Sequence, residues 1–261
     1  MKRQVTDTME IKGFFKRIGL PENTEIEQNY EFLKLIQQSC IVSIAYENLD
    51  LLAKKPLSLE GDALYEKIVT RGRGGYCFEL NGLLSYVLKE MGFNVKNYLA
   101  RFLRGEEGVP MRRHRVVSVM LDDGEYICDI GVASKSPRSP LKLEKDTLQV
   151  LGNEKYCFEK DVELGWILME QASGEWSRMF SFTDECQFDI DFYQPSFYCE
   201  THPDSMFNKY PKVGIKTEDG RKSINDREYK VFEEEKVVYV EENVTDDRLT
   251  EILKKEFFIN L

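Results

Sequence analysis

The sequence predicts an α+β protein in three consecutive parts: a helical third, an antiparallel sheet or small barrel, and a short segment mixing a hairpin with a helix. Three observations carry this. Apolar residues near the N-terminus recur at helical spacing, with Ile11, Phe14, Phe15 and Ile18 at i, i+3, i+4 and i+7. In the middle, two apolar runs flank Asp123-Gly124, a strong hairpin signal. Near the C-terminus, a second hairpin pattern precedes an amphipathic stretch.

The elements follow in order. Gly19-Leu20-Pro21 ends the first helix. Tyr30, Leu33 and Ile36 repeat the helical pattern weakly, and Leu64, Tyr65, Ile68 and Val69 form another short apolar face. The segment from Cys77 to Met91 places Leu80, Leu84, Val87, Leu88 and Met91 on one side, and Gly92 ends it. From Asn94 the period changes. Residues 98–103 read as a strand, and 115–121 with 126–132 form the hairpin. Pro137 and Pro140 interrupt; shorter strands follow at 147–151, 155–158 and 166–169. After about Glu200 a hairpin is expected at 229–232 and 236–241, around a solvated acidic turn at Glu233-Glu234-Glu235. A final helix is expected from Asp246 to Phe257, with Leu249, Ile252 and Leu253 inward.

Composition narrows the function classes. Hydrophobic residues make up 42% and charged residues 31% of the 261, as in soluble globular proteins. A formal net charge of −10, with Lys and Arg scattered except near residues 71–73 and 112–115, argues against a nucleic-acid partner. The first seven residues lack the apolar run of a signal peptide, and no stretch approaches the ~18 apolar residues of a spanning helix. A cytoplasmic protein without a membrane partner is expected. The six cysteines include no CxxC pair and read as free thiols. Cys199 and His202 have a ligand-like spacing but no second pair, so no metal is expected.

One cysteine has a special setting. Arg71-Gly72-Arg73-Gly74-Gly75-Tyr76 leads into a helix that Cys77 opens. A helix N-terminus offers unpaired N–H groups and the positive end of the dipole, both of which favour thiolate. The same N–H groups suit an oxyanion. A phosphate loop would need Lys-Ser/Thr after its last glycine, where Tyr76-Cys77 stands. A dinucleotide fingerprint would need a preceding strand. A reactive Cys77 is therefore the preferred reading. A nucleophilic cysteine needs a base, and the chain has two histidines. His202 precedes Pro203 in a turn-like segment. His114 opens the first hairpin strand, with Asp129 on the partner strand. A two-residue Asp123-Gly124 turn would pair His114 with Ala133. Asp129 then shares the face of His114 but lies four residues along, roughly 13 Å away on a straight strand. A bulge, a strong twist or a later strand start is needed to join them.

At these residues the chain resembles the arylamine N-acetyltransferase family. The family motif Arg-Gly-Gly-(Tyr/Trp)-Cys-(Phe/Leu)-Glu-x-Asn stands here as Arg73-Gly74-Gly75-Tyr76-Cys77-Phe78-Glu79-Leu80-Asn81. The family's His and its Asp-x-Gly match His114 and Asp129-Ile130-Gly131. Ala45-Tyr46-Glu47-Asn48-Leu49 resembles its Pro-Phe-Glu-Asn-Leu, and residues 201–207 resemble its Ser/Thr-His-Pro-x-Ser-x-Phe. The matches come in order and span most of the chain. The resemblance implies a helical domain at 1–92, an antiparallel β-barrel domain at 93–199, an α/β lid at 200–261, and a cysteine-protease-like core. It implies acetyl-CoA as cosubstrate, an arylamine or hydrazine acceptor, and a ping-pong reaction through acetyl-Cys77 with His114 and Asp129. It gives His202 a structural turn and makes Glu47, Asn48 and Arg73 architectural. Tyr46, Val132, Ala133 and Phe207 fall at positions expected to bind substrate.

The departures from the family pattern matter. Cys40 stands where a histidine is usual, Ala45 for proline, Tyr46 for phenylalanine, and Val132-Ala133 for Phe-Gly. Valine removes an aromatic wall and alanine adds a methyl, so an altered acceptor range is expected. Other chemistries use the same residues: an amide synthase closing a macrolactam, or a Cys-His-Asp hydrolase of peptidase or transglutaminase type. A non-catalytic CoA-binding scaffold is disfavoured by the intact residue types.

Overall fold

The computed structural model describes residues 9–105, 107–172 and 174–261. The first seven residues, read above for a leader, lie outside them. Among the described residues no helix is long and apolar enough to cross a membrane.

The N-terminal region is helical, as expected: α1 Met9–Arg17, α2 Tyr30–Ser43, α3 Leu49–Leu52, α4 Gly61–Tyr65 and α5 Cys77–Glu90. Three of these boundaries have a local cause. The Asn29 side chain accepts from Phe32 N–H and caps α2. The Glu79 carboxylate accepts from Tyr76 N–H at 3.1 Å and caps α5. Gly92 at φ 85° ends α5, and Phe93 N–H returns to Leu88 C=O at 3.0 Å. Nearly every side chain of α5 is buried, so it is the central helix, packed between Phe14, Phe15 and Leu64 on one side and Val117 and Val119 on another. A strand of two residues, β1 Tyr46–Glu47, interrupts the helical region.

The middle region is an eight-stranded antiparallel sheet that curls into a nearly closed barrel. Its members are β2 Asn94–Phe102, β3 Arg112–Leu121, β4 Gly124–Cys128, β5 Leu141–Lys142, β6 Gln149–Leu151, β7 Glu154–Asp161, β8 Gly165–Ala172 and β9 Glu175–Phe182, in the order β5-β4-β3-β2-β9-β8-β7-β6. Tyr98, Ala100, Val116, Ile127, Tyr156, Phe158, Leu168, Phe180 and Phe182 fill its interior. The seam between β5 and β6 is closed by one side chain: Lys142 N–H donates to Gln149 Oε1 at 2.7 Å, and Gln149 Nε2 donates to Lys142 C=O at 2.9 Å. Sequence reading missed β9, because its first four residues are exposed and carry no alternation.

Two 3-10 turns and α6 Tyr193–Thr201 link the barrel to a second antiparallel sheet. This holds β10 Lys212–Lys216, β11 Gly220–Asn225, β12 Glu228–Glu233 and β13 Lys236–Glu241, in the order β1-β10-β11-β12-β13, with α7 Asp246–Glu256 against one face. The hairpin β12–β13 and the last helix were expected within a residue or two. β10, β11 and α6 were not: Lys-Val-Gly-Ile-Lys and Gly-Arg-Lys-Ser-Ile-Asn are too polar to show a strand period, and α6 has almost no amphipathic stripe. The acidic turn is also more than a solvated loop. Glu235 pairs with Lys135 at 3.0 Å and Arg221 at 3.2 Å.

Candidate active site

The His114–Asp129 gap is closed by a register change and a chain bend. The observed pairs run from Leu121↔Gly124 to Val117↔Cys128. The turn is therefore Asp122-Asp123, one residue earlier than the Asp123-Gly124 turn read from the sequence. Moving the turn by one residue shifts each partner by two. Continued past Cys128, the register sets Asp129 across from Val116, two residues from His114, or roughly 7 Å instead of roughly 13 Å. β4 ends at Cys128, and the bend that follows brings Asp129 Oδ2 to 2.6 Å from His114 Nε2. The strand on the other side contributes too. Ala100 pairs with His114 but Arg101 with Arg112, which leaves Arg113 as a bulge residue. The Arg113 carbonyl lies 3.6 Å from Cys77 Sγ.

Asp129 is held from both oxygens. Its Oδ1 accepts from Asn81 Nδ2 and from Gly131 N–H, each at 2.8 Å. Asn81 also donates to Arg115 C=O at 2.6 Å and accepts from Ile130 N–H at 3.0 Å. Asn81 is one helical turn beyond Cys77 on α5 and so faces the same side. It ties the helix that carries the thiol to the loop that carries the acid. The sequence reading quoted Asn81 within its motif and assigned it no role; the i+4 spacing from Cys77 was the available signal. The His114 ring lies between Phe180 and Phe102, with centroids at 5.4 and 6.3 Å.

Cys77 is the first residue of α5, 3% exposed. Gly131 sits directly over it: a Cβ there would stand 2.9 Å from Cys77 Cα and 3.1 Å from its Cβ. Only glycine permits that approach. This packing opposes the depression of the thiol that the helix N-terminus favours. Burial pushes the Cys77 thiol well above its usual range, with Cys199 and Asp129 adding to it; backbone hydrogen bonds at Arg115 and Phe78 pull the other way and lose. The helix N-terminus is present, but desolvation is larger. A thiolate here requires an immediate acceptor for its proton. His114 Nε2 is the ring nitrogen engaged by Asp129.

The loop ahead of Cys77 is braced by a buried charge network. Arg73 donates to Glu47 at 2.7 Å and meets Asp50 at 3.1 Å; Lys67 meets Asp50 at 2.9 Å and Glu79 at 2.6 Å. Burial pushes Glu79 up to about 7 against the pull of Lys67, whereas Lys67 and Arg73 overcome burial at Asp50 and hold it at about 2. Glu47 and Arg73 thus have the architectural role expected of them. Asn48 does as well: it donates to the carbonyls of Phe207 and Tyr210 and accepts from Lys212 N–H at 2.8 Å. His202 stacks on Tyr198 with ring centroids 4.4 Å apart and accepts from Asp204 N–H, a structural turn.

The chain is similar to known proteins along most of its length. A family model described as N-acetyltransferase matches residues 29–261. The arylamine N-acetyltransferase of Mycolicibacterium smegmatis is 36% identical over 225 residues, 84% of this chain and 81% of the relative. The chain belongs to the arylamine N-acetyltransferase family. Among solved family structures, that of M. smegmatis superposes with a TM-score of 0.91 at 32% identity, over 97% of this chain and 93% of the other. The Mycobacterium marinum enzyme, solved in complex with CoA, superposes with a TM-score of 0.88 at 27% identity, over 95% and 92%. The protein is accordingly an acyltransferase.

The four expected substrate positions fall in three places. Tyr46 pairs with Gly214, and Gly214 backs onto Ala133 and Ser134: a Cβ at Gly214 would stand 2.7 Å from Ser134 N and 3.2 Å from Ala133 Cβ. Ala133 takes φ 47°, a left-handed conformation that glycine adopts without strain. Val132 instead packs into the barrel interior. Phe207 stands apart, its ring 5.9 Å from that of Tyr76, whose hydroxyl meets Ser196 Oγ at 2.5 Å. A cavity of about 950 Å³ begins at Ser134, two residues past Val132, and runs between the barrel and the second sheet. Lys135, Arg138, Lys216 and Arg221 line it, together with Glu154 and Glu235; Cys77 does not.

Proposed function

We propose that this protein transfers an acetyl group from acetyl-CoA to an arylamine, hydrazine or related amine, in two half-reactions through acetyl-Cys77. The observation that carries the reading is the contact of His114 Nε2 with Asp129 Oδ2 at 2.6 Å, at a site where Cys77 opens α5 beneath Gly131. The Cys77 proton passes to His114 Nδ1 as Sγ attacks the thioester carbonyl. Because burial opposes a lone thiolate, proton transfer to His114 accompanies the attack. Asp129, itself held by Asn81 and Gly131 N–H, keeps the proton on Nε2 and stabilises the imidazolium. N–H groups at the start of α5 face the developing oxyanion. The carbon–sulfur bond to the coenzyme then breaks, and the imidazolium proton goes to the departing CoA thiolate. In the second half-reaction the amine attacks acetyl-Cys77, His114 takes the amine proton, and Cys77 leaves as thiolate and is reprotonated by His114.

In this reading the chain divides into three units at 1–92, 93–199 and 200–261, with the thiol, the His–Asp pair and the covering sheet in turn. Tyr46, Val132, Ala133 and Phe207 border the acceptor. The protein works in the cytosol, where acetyl-CoA is present and the six free thiols stay reduced. The test is an intact mass after incubation with acetyl-CoA. One acetyl adduct is expected, absent from Cys77→Ala and discharged by added arylamine. A wild-type protein that gains no adduct sinks the acetyl-donor claim, and an adduct lost to water without an amine favours the hydrolase.

A further inference from the structure

A sheet that ends in an unpaired strand exposes a row of backbone donors and acceptors. Among the described residues, three of the four sheet edges are closed. Gln149 bridges β5 and β6 across the barrel seam. The outer side of β1 meets Gly75, where Glu47 N–H donates to Gly75 C=O at 2.9 Å. The fourth edge is β13, Lys236-Val237-Val238-Tyr239-Val240-Glu241. Its four apolar side chains are 43–50% exposed, and it contains no proline to prevent pairing.

We propose that β13 pairs with β13 of a second copy of this chain, antiparallel about a two-fold axis between Val238 and Tyr239, joining two five-stranded sheets into one. Two observations select this occupant. The first is charge. Antiparallel self-pairing sets the first residue opposite the last, so Lys236 meets Glu241 at both ends while Val237 meets Val240 between them. Glu241 is already fixed at the strand end by Arg248 Nε at 2.9 Å.

The second observation is register. Residues facing each other across an antiparallel pair must direct their backbone groups the same way. In a regular strand, residues three or five apart do not. β13 is not regular: Val237 pairs with Phe232 and Tyr239 with Val231, leaving Val238 as an extra residue. Val237 and Val240 therefore face Phe232 and Lys230, two apart on β12, while Lys236 and Glu241 face Glu233 and Tyr229, four apart. Both spacings are even, so each pair points the same way. The bulge, often a device that blunts an edge, here makes the two-fold register possible.

The proposal is independent of the acetyl-transfer reading and is tested by mass in solution. Light scattering across a concentration series should show wild-type protein rising from 30.5 kDa towards twice that value. Lys236→Glu and Glu241→Lys should each remain monomeric, because each puts like charges at both ends. Mixed in equal amounts they should associate, because every end pair is then opposite in charge. Val240→Asp, which keeps the Arg248–Glu241 pair, should also separate the copies, and thermal unfolding checks that each variant is folded. Wild-type protein that stays at 30.5 kDa throughout overturns the proposal and leaves the strand for a different partner. Dimers that persist in both charge variants, or monomeric variants that fail to associate when mixed, overturn it as well.

Discussion

The loop after β4 contains two short stretches built on different principles. Asp129-Ile130-Gly131 is saturated with directional contacts: His114 on one carboxylate oxygen, Asn81 and Gly131 N–H on the other, Asn81 again on Ile130 N–H, and Cys77 pressed against the bare Cα of Gly131. Val132-Ala133, the next two residues, sits by packing. Val132 lies among barrel side chains, and Ala133 stays left-handed against Gly214. A buried hydrogen bond that is lost leaves its partner unsatisfied, at about 1–3 kcal/mol. A packing contact tolerates a change of shape at less. The comparison teaches that Asp129-Ile130-Gly131 stands where substitution is most costly, while Val132-Ala133 tolerates a change of shape.

The predictions test that contrast. The largest effect belongs to Asp129→Asn. The amide can mimic the shape but not the charge, and it favours the wrong tautomer of His114, so kcat/KM for acetyl transfer should fall by about 10³–10⁴ with little change in Tm. A loss below tenfold would remove Asp129 from the machinery. Gly131→Ala comes next. Its methyl would stand 2.9 Å from backbone Cys77 Cα, so the loop must move away and draw Asp129 with it. A loss of about 10² in turnover is expected, together with lower thermal stability. Unchanged rates would show that the loop has slack.

The second stretch should answer differently. Val132→Phe should alter kcat/KM among flat aryl acceptors by about tenfold, while the first half-reaction with acetyl-CoA changes much less. Equal changes in both would count against an acceptor wall at this position. Ala133→Gly should have the smallest effect. It relieves a left-handed alanine but loosens the unfolded chain, for a net gain of about 0.5–1 kcal/mol, read as a small rise in Tm. A drop in Tm would mean that the methyl contact near Gly214 is worth more than the strain.

The two stretches were also unequally legible. Cys77 could be read as a nucleophile from its glycine-rich approach to a helix, and the boundaries of α5, β13 and α7 came within a residue or two, because caps, glycines and apolar period act over one turn of chain. The His114–Asp129 contact could not be read, since moving the turn from Asp123-Gly124 to Asp122-Asp123 costs little locally yet shifts every pair by two. The Arg113 bulge, which brings a carbonyl to Cys77, depends on how β2 meets β3. Asn81 looked like one polar residue on a helix until Asp129 and Ile130 arrived from the barrel.

The sequence by itself determined the family, the order of helical and sheet regions, and the motif that holds Cys77, with His114 and Asp129 following it. These depend on which side chains are present and on periodicities that act over a few residues. Only the tertiary structure decided the distance from His114 to Asp129, the insertion of β1 into the distant second sheet, and the balance that raises the Cys77 thiol. Those three depend on strand register and on exclusion of water, and both are properties of segments far apart in the chain that acquire a value only when they pack.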